Sequence, residues 1–213
     1  MKKNYQLICD KQIEKLSENG AVKKLLLHSC CGPCSSYVLE YLSRYFEVTV
    51  LFFNPNIYPA HEFEKRQAAQ EKIIKDMKFK NPVSLIPVPY DHSEFLVVSN
   101  GFETEPEGGG RCTECFLLRL KKTAYEAKRL GFDVFTTTLS VSPHKNAELL
   151  NRIGEELSEE TGVAYLVSDF KKREGYKRSI ELSKEYGLYR QEYCGCEFSD
   201  RTEKQSSRKK VKI

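Results

Sequence analysis

Apolar and polar positions along the chain follow two periods. Short, β-rich apolar runs close on polar or glycine-proline residues, and each is followed by a longer amphipathic stretch rich in Glu, Lys, Leu and Ala. Alternation of this kind is the pattern of a parallel α/β sheet. It predicts five strands, at Lys24 to His28, Val48 to Phe53, Val83 to Val88, Val134 to Leu139 and Ala164 to Val167. Helices are expected over His61 to Lys78, Cys112 to Leu130, Ala147 to Thr161 and Glu174 to Tyr186, with Gly131 and Gly187 as stops. The expected fold is α/β, a single open parallel sheet with helices on both faces. It occupies residues 1–200, and residues 201–213 form a basic tail.

The glycine run Gly108-Gly109-Gly110 breaks the pattern, and Asp91 to Arg111 reads as a loop insertion near the site. In open parallel sheets, ligands bind beyond the carboxyl ends of the strands. Cys30, Cys31 and Cys34 follow the first predicted strand, Cys112 and Cys115 open the helix after the third, and Ser140 to Asn146 follows the fourth. These segments are therefore expected to converge on one edge.

At 213 residues the chain suits one well-cored unit. No stretch approaches the roughly 20 apolar residues of a membrane span, and the first residues lack the apolar core of a signal peptide. The expectation is a cytoplasmic protein with no membrane partner. The net charge of +4 is weak, but Lys171-Lys172-Arg173, Lys177, Arg178 and the run Ser207 to Lys212 gather positive charge late in the chain. Such patches suit phosphates, and they equally suit a solvated helix face and a basic tail.

Eight cysteines are many for such a chain. Short spacings in a reducing compartment point to metal or redox chemistry. Cys9 stands alone and reads as a small apolar side chain. In Leu27 to Cys34 a strand turns into a helix, with Gly32 permitting the turn and Pro33 suited to the first helical turn. Thiols at a helix start are biased towards thiolate, the form that binds metal. Cys112 and Cys115 lie three apart on one helix face, and with Cys30 and Cys31 they make a four-thiolate set suited to a 4Fe–4S cluster or to zinc. Gly195 allows Cys194 and Cys196 either a strained, reducible disulfide or a second metal. After the second strand, Asn54, Asn56, Tyr58 and Arg66 follow in a loop and helix start stiffened by Pro55 and Pro59, suited to reading and stacking an unpaired base. His28, His144 and Lys145 are candidate proton donors or phosphate contacts, although a histidine at a strand end is more often a packed residue.

Five segments together resemble the cobalamin-independent epoxyqueuosine reductases, the QueH family. They are His28 to Cys34, Phe53 to Pro59 with Glu62 and Arg66, Arg111 to Leu120, Thr137 to Asn146, and Tyr193 to Cys196. The likeness runs from about Leu25 to Ser199. It implies a Rossmann-like, nucleotide-hydrolase-like domain that reduces the epoxide of epoxyqueuosine in a tRNA anticodon loop, the last step of queuosine synthesis. The resemblance further implies that Cys30, Cys31, Cys112 and Cys115 hold a 4Fe–4S cluster and that Cys194 and Cys196 form the redox-active pair. Some members carry another residue at the position of Cys34 with an additional, mononuclear iron close by, so Cys34 either ligates that iron or lines the site. The electron donor is not identified by the resemblance.

Two rival readings share some of these features. ATP-dependent tRNA thiolation enzymes have the same sheet and paired cysteines, but Ser29 to Cys34 stands where their glycine-rich phosphate loop belongs. A zinc-stabilised RNA-binding module would use four thiolates in a closed site and leave Cys194 and Cys196 without a role.

Overall fold

The computed structural model describes residues 3–18 and 20–199. Leu25, Leu26 and Leu27 show how the core is divided. Successive strand side chains face opposite ways, so Leu26 packs with Leu51, Phe116, Leu120, Phe135, Leu150 and Leu157, while Leu25 and Leu27 pack with Val38, Leu39, Leu42, Val48 and Val50. Both faces are covered, which is why strand β1 (Lys23–His28) carries the unbroken apolar run Leu25-Leu26-Leu27. It lies at the centre of a parallel five-stranded sheet in the order β3-β2-β1-β4-β5, with β2 Phe46–Phe52, β3 Val83–Pro87, β4 Val134–Thr137 and β5 Ala164–Tyr165. His28 pairs in register with Leu51 on one side and Thr137 on the other. The chain reverses its direction across the sheet between β1 and β4, so the ligand crevice of such sheets opens at their carboxyl ends.

Among the described residues seven helices flank the sheet: α1 Tyr5–Ser17, α2 Gly32–Leu42, α3 Ala60–Asp76, α4 Ser93–Ser99, α5 Gly110–Leu130, α6 Ala147–Thr161 and α7 Gly175–Glu185. In α5 the buried positions Cys112, Cys115, Phe116, Arg119, Leu120, Thr123, Ala124 and Ala127 form a stripe at helical spacing. The helix closes at Gly131, whose φ of +71° suits a left-handed cap.

Four features differ from the sequence pattern. Helix α1 is an addition, hidden because its buried stripe is only Gln6, Cys9 and Ile13. Strand β4 ends at Thr137, not Leu139, because the Thr137 hydroxyl accepts the Leu139 amide at 3.1 Å and starts a 3-10 turn, Thr138–Val141. Strand β5 ends at Tyr165, after which Gln12 of α1 takes the Val167 amide at 3.0 Å. The insertion after β3 contains α4 and a loop tied by Arg111, which donates to the carbonyls of Phe102, Glu103 and Glu105. The basic tail lies outside the described residues.

Helix α6 reaches the sheet through Gly154, where a Cβ would come within 2.3 Å of the Tyr165 ring. Gly154→Ala is expected to destabilise the protein by about 1–3 kcal/mol through overpacking. The shift in urea midpoint measures this, and a smaller residue at 165 in the same chain should recover part of the loss.

Candidate thiol centre

Strand β1 delivers Ser29 and Cys30 to the switch point, where the Cys30 amide donates to the Thr138 hydroxyl at 3.3 Å. Cys31 caps α2, accepting the Cys34 amide on its sulfur at 3.3 Å. Gly32 is required here because a Cβ would meet the Ala69 carbonyl oxygen at 2.4 Å, so α2 starts hard against α3. The result is a cluster: the sulfurs of Cys30, Cys31 and Cys34 lie within 4.8 Å of one another, and the first two are 3.8 Å apart.

Helix α5 brings the second pair. Cys112 and Cys115 are buried near its start, and the Cys112 sulfur accepts the Gly108 amide at 3.2 Å. Cys115 packs with Phe95, Cys194, Cys196 and Phe198. The third pair arrives on the segment after α7, which has little regular structure and is held by side chains. Gln191 donates to the Cys31 sulfur at 3.0 Å, and Arg66 donates to the carbonyls of Cys194 and Tyr193 at 3.1 and 3.3 Å. The Tyr58 amide donates to the Gly195 carbonyl at 2.8 Å, and Arg111 reaches the Ser199 hydroxyl at 3.3 Å. Gly195 turns with φ +102°, and a Cβ there would press on Ile57 and Arg66.

Two adjoining cavities collect these groups. The larger, about 210 Å³, is lined by Cys30, Cys34 and Cys194 together with Arg119, His144, Lys145, Tyr176, Arg190 and Tyr193. The smaller is lined by Cys112, Cys115, Cys194 and Cys196 with Asn56, whose buried Oδ1 has no hydrogen-bond partner among the described residues. Arg119, Lys145 and Cys194 border both.

Charge around the cavities is arranged to favour thiolate at particular sulfurs. Hydrogen bonds from the Cys31 and Cys34 thiols, helped by Arg119 and Thr138, hold Cys30 well below the usual thiol range. Burial pushes Cys31 up to about 12 and Cys115 upward as well, and Cys34 rises because it donates to its neighbours. Cys194 falls to about 5, first through the hydrogen bond from Cys196 and then through Lys145, while Cys196 rises and keeps its proton. Burial alone would lower Lys145, but the Cys194 thiolate and Glu107, 3.6 Å away, outweigh it and keep the ammonium charged.

The structure sorts the residues singled out in the sequence. Asn54 is buried and serves as scaffold, donating to the Ser29 carbonyl at 2.8 Å and accepting from Arg119 at 3.3 Å. Arg66 is 1% exposed and is engaged by Glu62 at 2.7 Å and by the two carbonyls already named. Tyr58 is exposed, with its ring 5.1 Å from that of His92, and it is not among the residues lining either cavity. His144 is exposed at the rim of the larger cavity and Lys145 is inside it. His28 is wholly buried and, pushed down to about 3 chiefly by burial, stays neutral. Its Nε2 faces the Phe53 carbonyl at 3.1 Å and must donate, which leaves Nδ1 to accept from Thr137 at 2.9 Å. It is a packed residue.

The one-ion grouping found among the described residues is Cys30, Cys31 and Cys34. Cys112 and Cys115 stand outside it, across the cavities. A soft set of this kind, divided over a larger space, suits a multi-iron centre, and three close thiols suit a single soft ion. Sequence reasoning passed over Arg119, Gln191, Arg111 and Tyr176. Arg119 and Arg111 lie inside the Arg111 to Leu120 segment, but their burial is a property of the α5 stripe and not of their charge.

A family profile described as "Epoxyqueuosine reductase QueH" matches residues 25–202. The chain belongs to the QueH family. Family members named epoxyqueuosine reductase QueH include one from Staphylococcus epidermidis, 42% identical over 92% of this chain and 84% of its own length. Another from Haemophilus influenzae is 39% identical over 94% and 82%, and one from Thermotoga maritima is 35% identical over 82% and 89%. The matched span of this QueH chain contains all three cysteine groups and both cavities. Among its described residues no helix is long and apolar enough to cross a membrane.

For reduced, metal-free protein, alkylation of Cys194 by iodoacetamide should be nearly independent of pH from about 6 to 8 and fall below about 5, because a depressed thiol is thiolate above its own pKa. Lys145→Met should move that fall upward. Mass spectrometry of the Cys194 peptide against pH is the measurement.

Proposed function

We propose that this chain reduces the epoxide of epoxyqueuosine in a tRNA anticodon loop to queuosine, using a 4Fe–4S cluster with an adjacent mononuclear iron. The observation that carries the reading is that Cys194 borders both cavities, between Cys30 and Cys34 on one side and Cys112, Cys115 and Cys196 on the other. Cys30, Cys31, Cys112 and Cys115 would hold the cluster, and Cys34 would ligate the second iron or line its site. When bound, such a centre supplies single electrons and a Lewis acid for the departing oxygen.

The chain's own groups meet the balance of the reaction. Converting an epoxide to an alkene and water consumes two electrons and two protons; the Cys194 thiolate and the Cys196 thiol passing to a disulfide release two electrons and one proton, and the Lys145 ammonium supplies the other proton. Cys194 and Cys196 are separated by one residue whose positive φ already folds them together, so they serve as that pair, returned to the dithiol by an external electron donor. Lys145 holds a proton inside the larger cavity and steadies the Cys194 thiolate. Tyr176 and Tyr193 give the same cavity aromatic walls against which an unpaired base can stack. Asn56 and His144 add polar contacts, Asn56 through its unpartnered oxygen and His144 from the rim. Asn54 and Arg66 act through the groups they hold, and Tyr58 through the Gly195 carbonyl.

Neither rival gains support at this site. In place of a phosphate cradle the turn after β1 presents three thiols, and a closed zinc site would not need a second, open cavity with a lysine-paired thiolate.

The test is conversion of epoxyqueuosine-containing tRNA by anaerobically reconstituted protein and dithionite, followed by nucleoside mass spectrometry. Wild type should yield queuosine, and Cys194→Ala should abolish turnover with iron retained. A wild-type protein that holds iron and sulfide yet leaves the epoxide intact would overturn the reading.

A further inference from the structure

The basic cluster noted in the sequence is not absorbed by the thiol centre, and the structure sorts it charge by charge. Arg178 is paired with Glu40 and Glu181, Lys177 with Glu174, Arg173 with Asp10 and Lys171 with Asp169. Lys172 is exposed and has no acidic partner among the described residues. Its counterpart is Lys3, exposed ahead of α1 and likewise without an acidic partner among them. Both line a groove of about 940 Å³.

That groove carries Lys3, Lys145, Lys171, Lys172 and Arg173 against two acids, Glu148 and Asp169. Its floor contains the first turns of two helices of full length, α1 and α6. Asn4 and Asn146 each cap the amide of the third helical residue, Leu7 and Leu149, at 3.2 Å in both cases, and leave the first two amides of each helix to outside acceptors. Positive side chains and two helix starts together favour an anion along the groove. The groove adjoins the thiol centre, because Lys145 lines it and both cavities.

We propose that this groove seats the phosphodiester backbone of the RNA beside the nucleotide held in the larger cavity, with Lys3 and Lys172 as phosphate contacts. The inference rests on the tRNA reading above and deepens it by naming the surface that grips the strand. Its contacts carry no base information, so they set affinity and register, while the cavity selects the nucleoside.

The experiment titrates the full chain with a fluorescein-labelled, unmodified anticodon stem–loop RNA at about 50 to 200 mM salt and reads anisotropy. Lys3→Ala with Lys172→Ala should weaken binding by roughly tenfold or more and flatten the slope of log affinity against log salt by about 0.7–0.9 per lost contact. A control pair of equal charge loss away from the groove, Lys177→Ala with Lys75→Ala, should leave both nearly unchanged. Unaltered affinity and slope in the groove variant would overturn the proposal, and so would an equal loss in both variants, which is the mark of diffuse net charge. Epoxide reduction by the wild type is scored separately. Wild type that binds the RNA through the groove but does not reduce the epoxide removes the reductase reading and leaves the groove standing, whereas wild type with no salt-dependent RNA binding removes the groove.

Discussion

A guanidinium buried in α3 holds the last part of the site together. The segment from Leu188 to Ser199 has almost no backbone ladder of its own, yet it must present Cys194 and Cys196 against thiols contributed by β1, α2 and α5. Arg66 does this by bridging from Glu62 to two consecutive carbonyls, those of Tyr193 and Cys194, while its plane lies 5.2 Å from the Tyr193 ring. Glu62 also accepts from the Tyr189 hydroxyl at 2.8 Å, so one ion pair fixes the segment at two points. A buried charge pair is costly unless its remaining hydrogen-bonding capacity is met. Here the segment itself meets it, which ties the integrity of the pair to the placement of the cysteines.

The same economy governs the charges facing the cavities. Thiolates are expensive to bury, and each depressed sulfur has a named source of relief: Cys30 has its neighbouring thiols and Arg119, and Cys194 has Cys196 and Lys145. Arg119 is kept in place by Asn54 and by the Cys115 carbonyl, so a loop after β2 and a turn of α5 jointly aim one cation at the β1 turn. The scaffold residues thus act on the sulfurs through the cations and carbonyls they orient.

Much of this was legible in the chain. The five strands, the helices α3, α5, α6 and α7, and the convergence of the cysteine-bearing turns follow from hydrophobic period and from the rule that parallel sheets bind ligands at their carboxyl ends. The missing parts have physical reasons. Helix α1 buries too narrow a stripe to announce itself, and α4 lies in a stretch punctuated like a loop. Asn54 and Arg66 look like ligand-reading groups in a sequence, because a polar side chain shows its chemistry there but not its partners. The packed chain shows that Ser29, Arg119 and the Cys194 and Tyr193 carbonyls take up part of that capacity, while Arg66 also lines the larger cavity. That Lys172 alone in the basic cluster lacks an acidic partner among the described residues was unreadable for the same reason, since the acids that neutralise Arg173 and Arg178 come from α1 and α2, far off in sequence.

The proposal that Cys30 and Cys31 share one iron–sulfur centre with Cys112 and Cys115 is the one on which the account turns. It is tested most directly by iron and acid-labile sulfide analysis, with the visible spectrum, on anaerobically purified wild type and on Cys112→Ala with Cys115→Ala. The account predicts iron, sulfide and a broad absorbance near roughly 400 nm in the wild type, with sulfide and absorbance lost in the variant although Cys30, Cys31 and Cys34 remain. A colourless protein that holds only zinc, even after reconstitution with iron and sulfide, would contradict it.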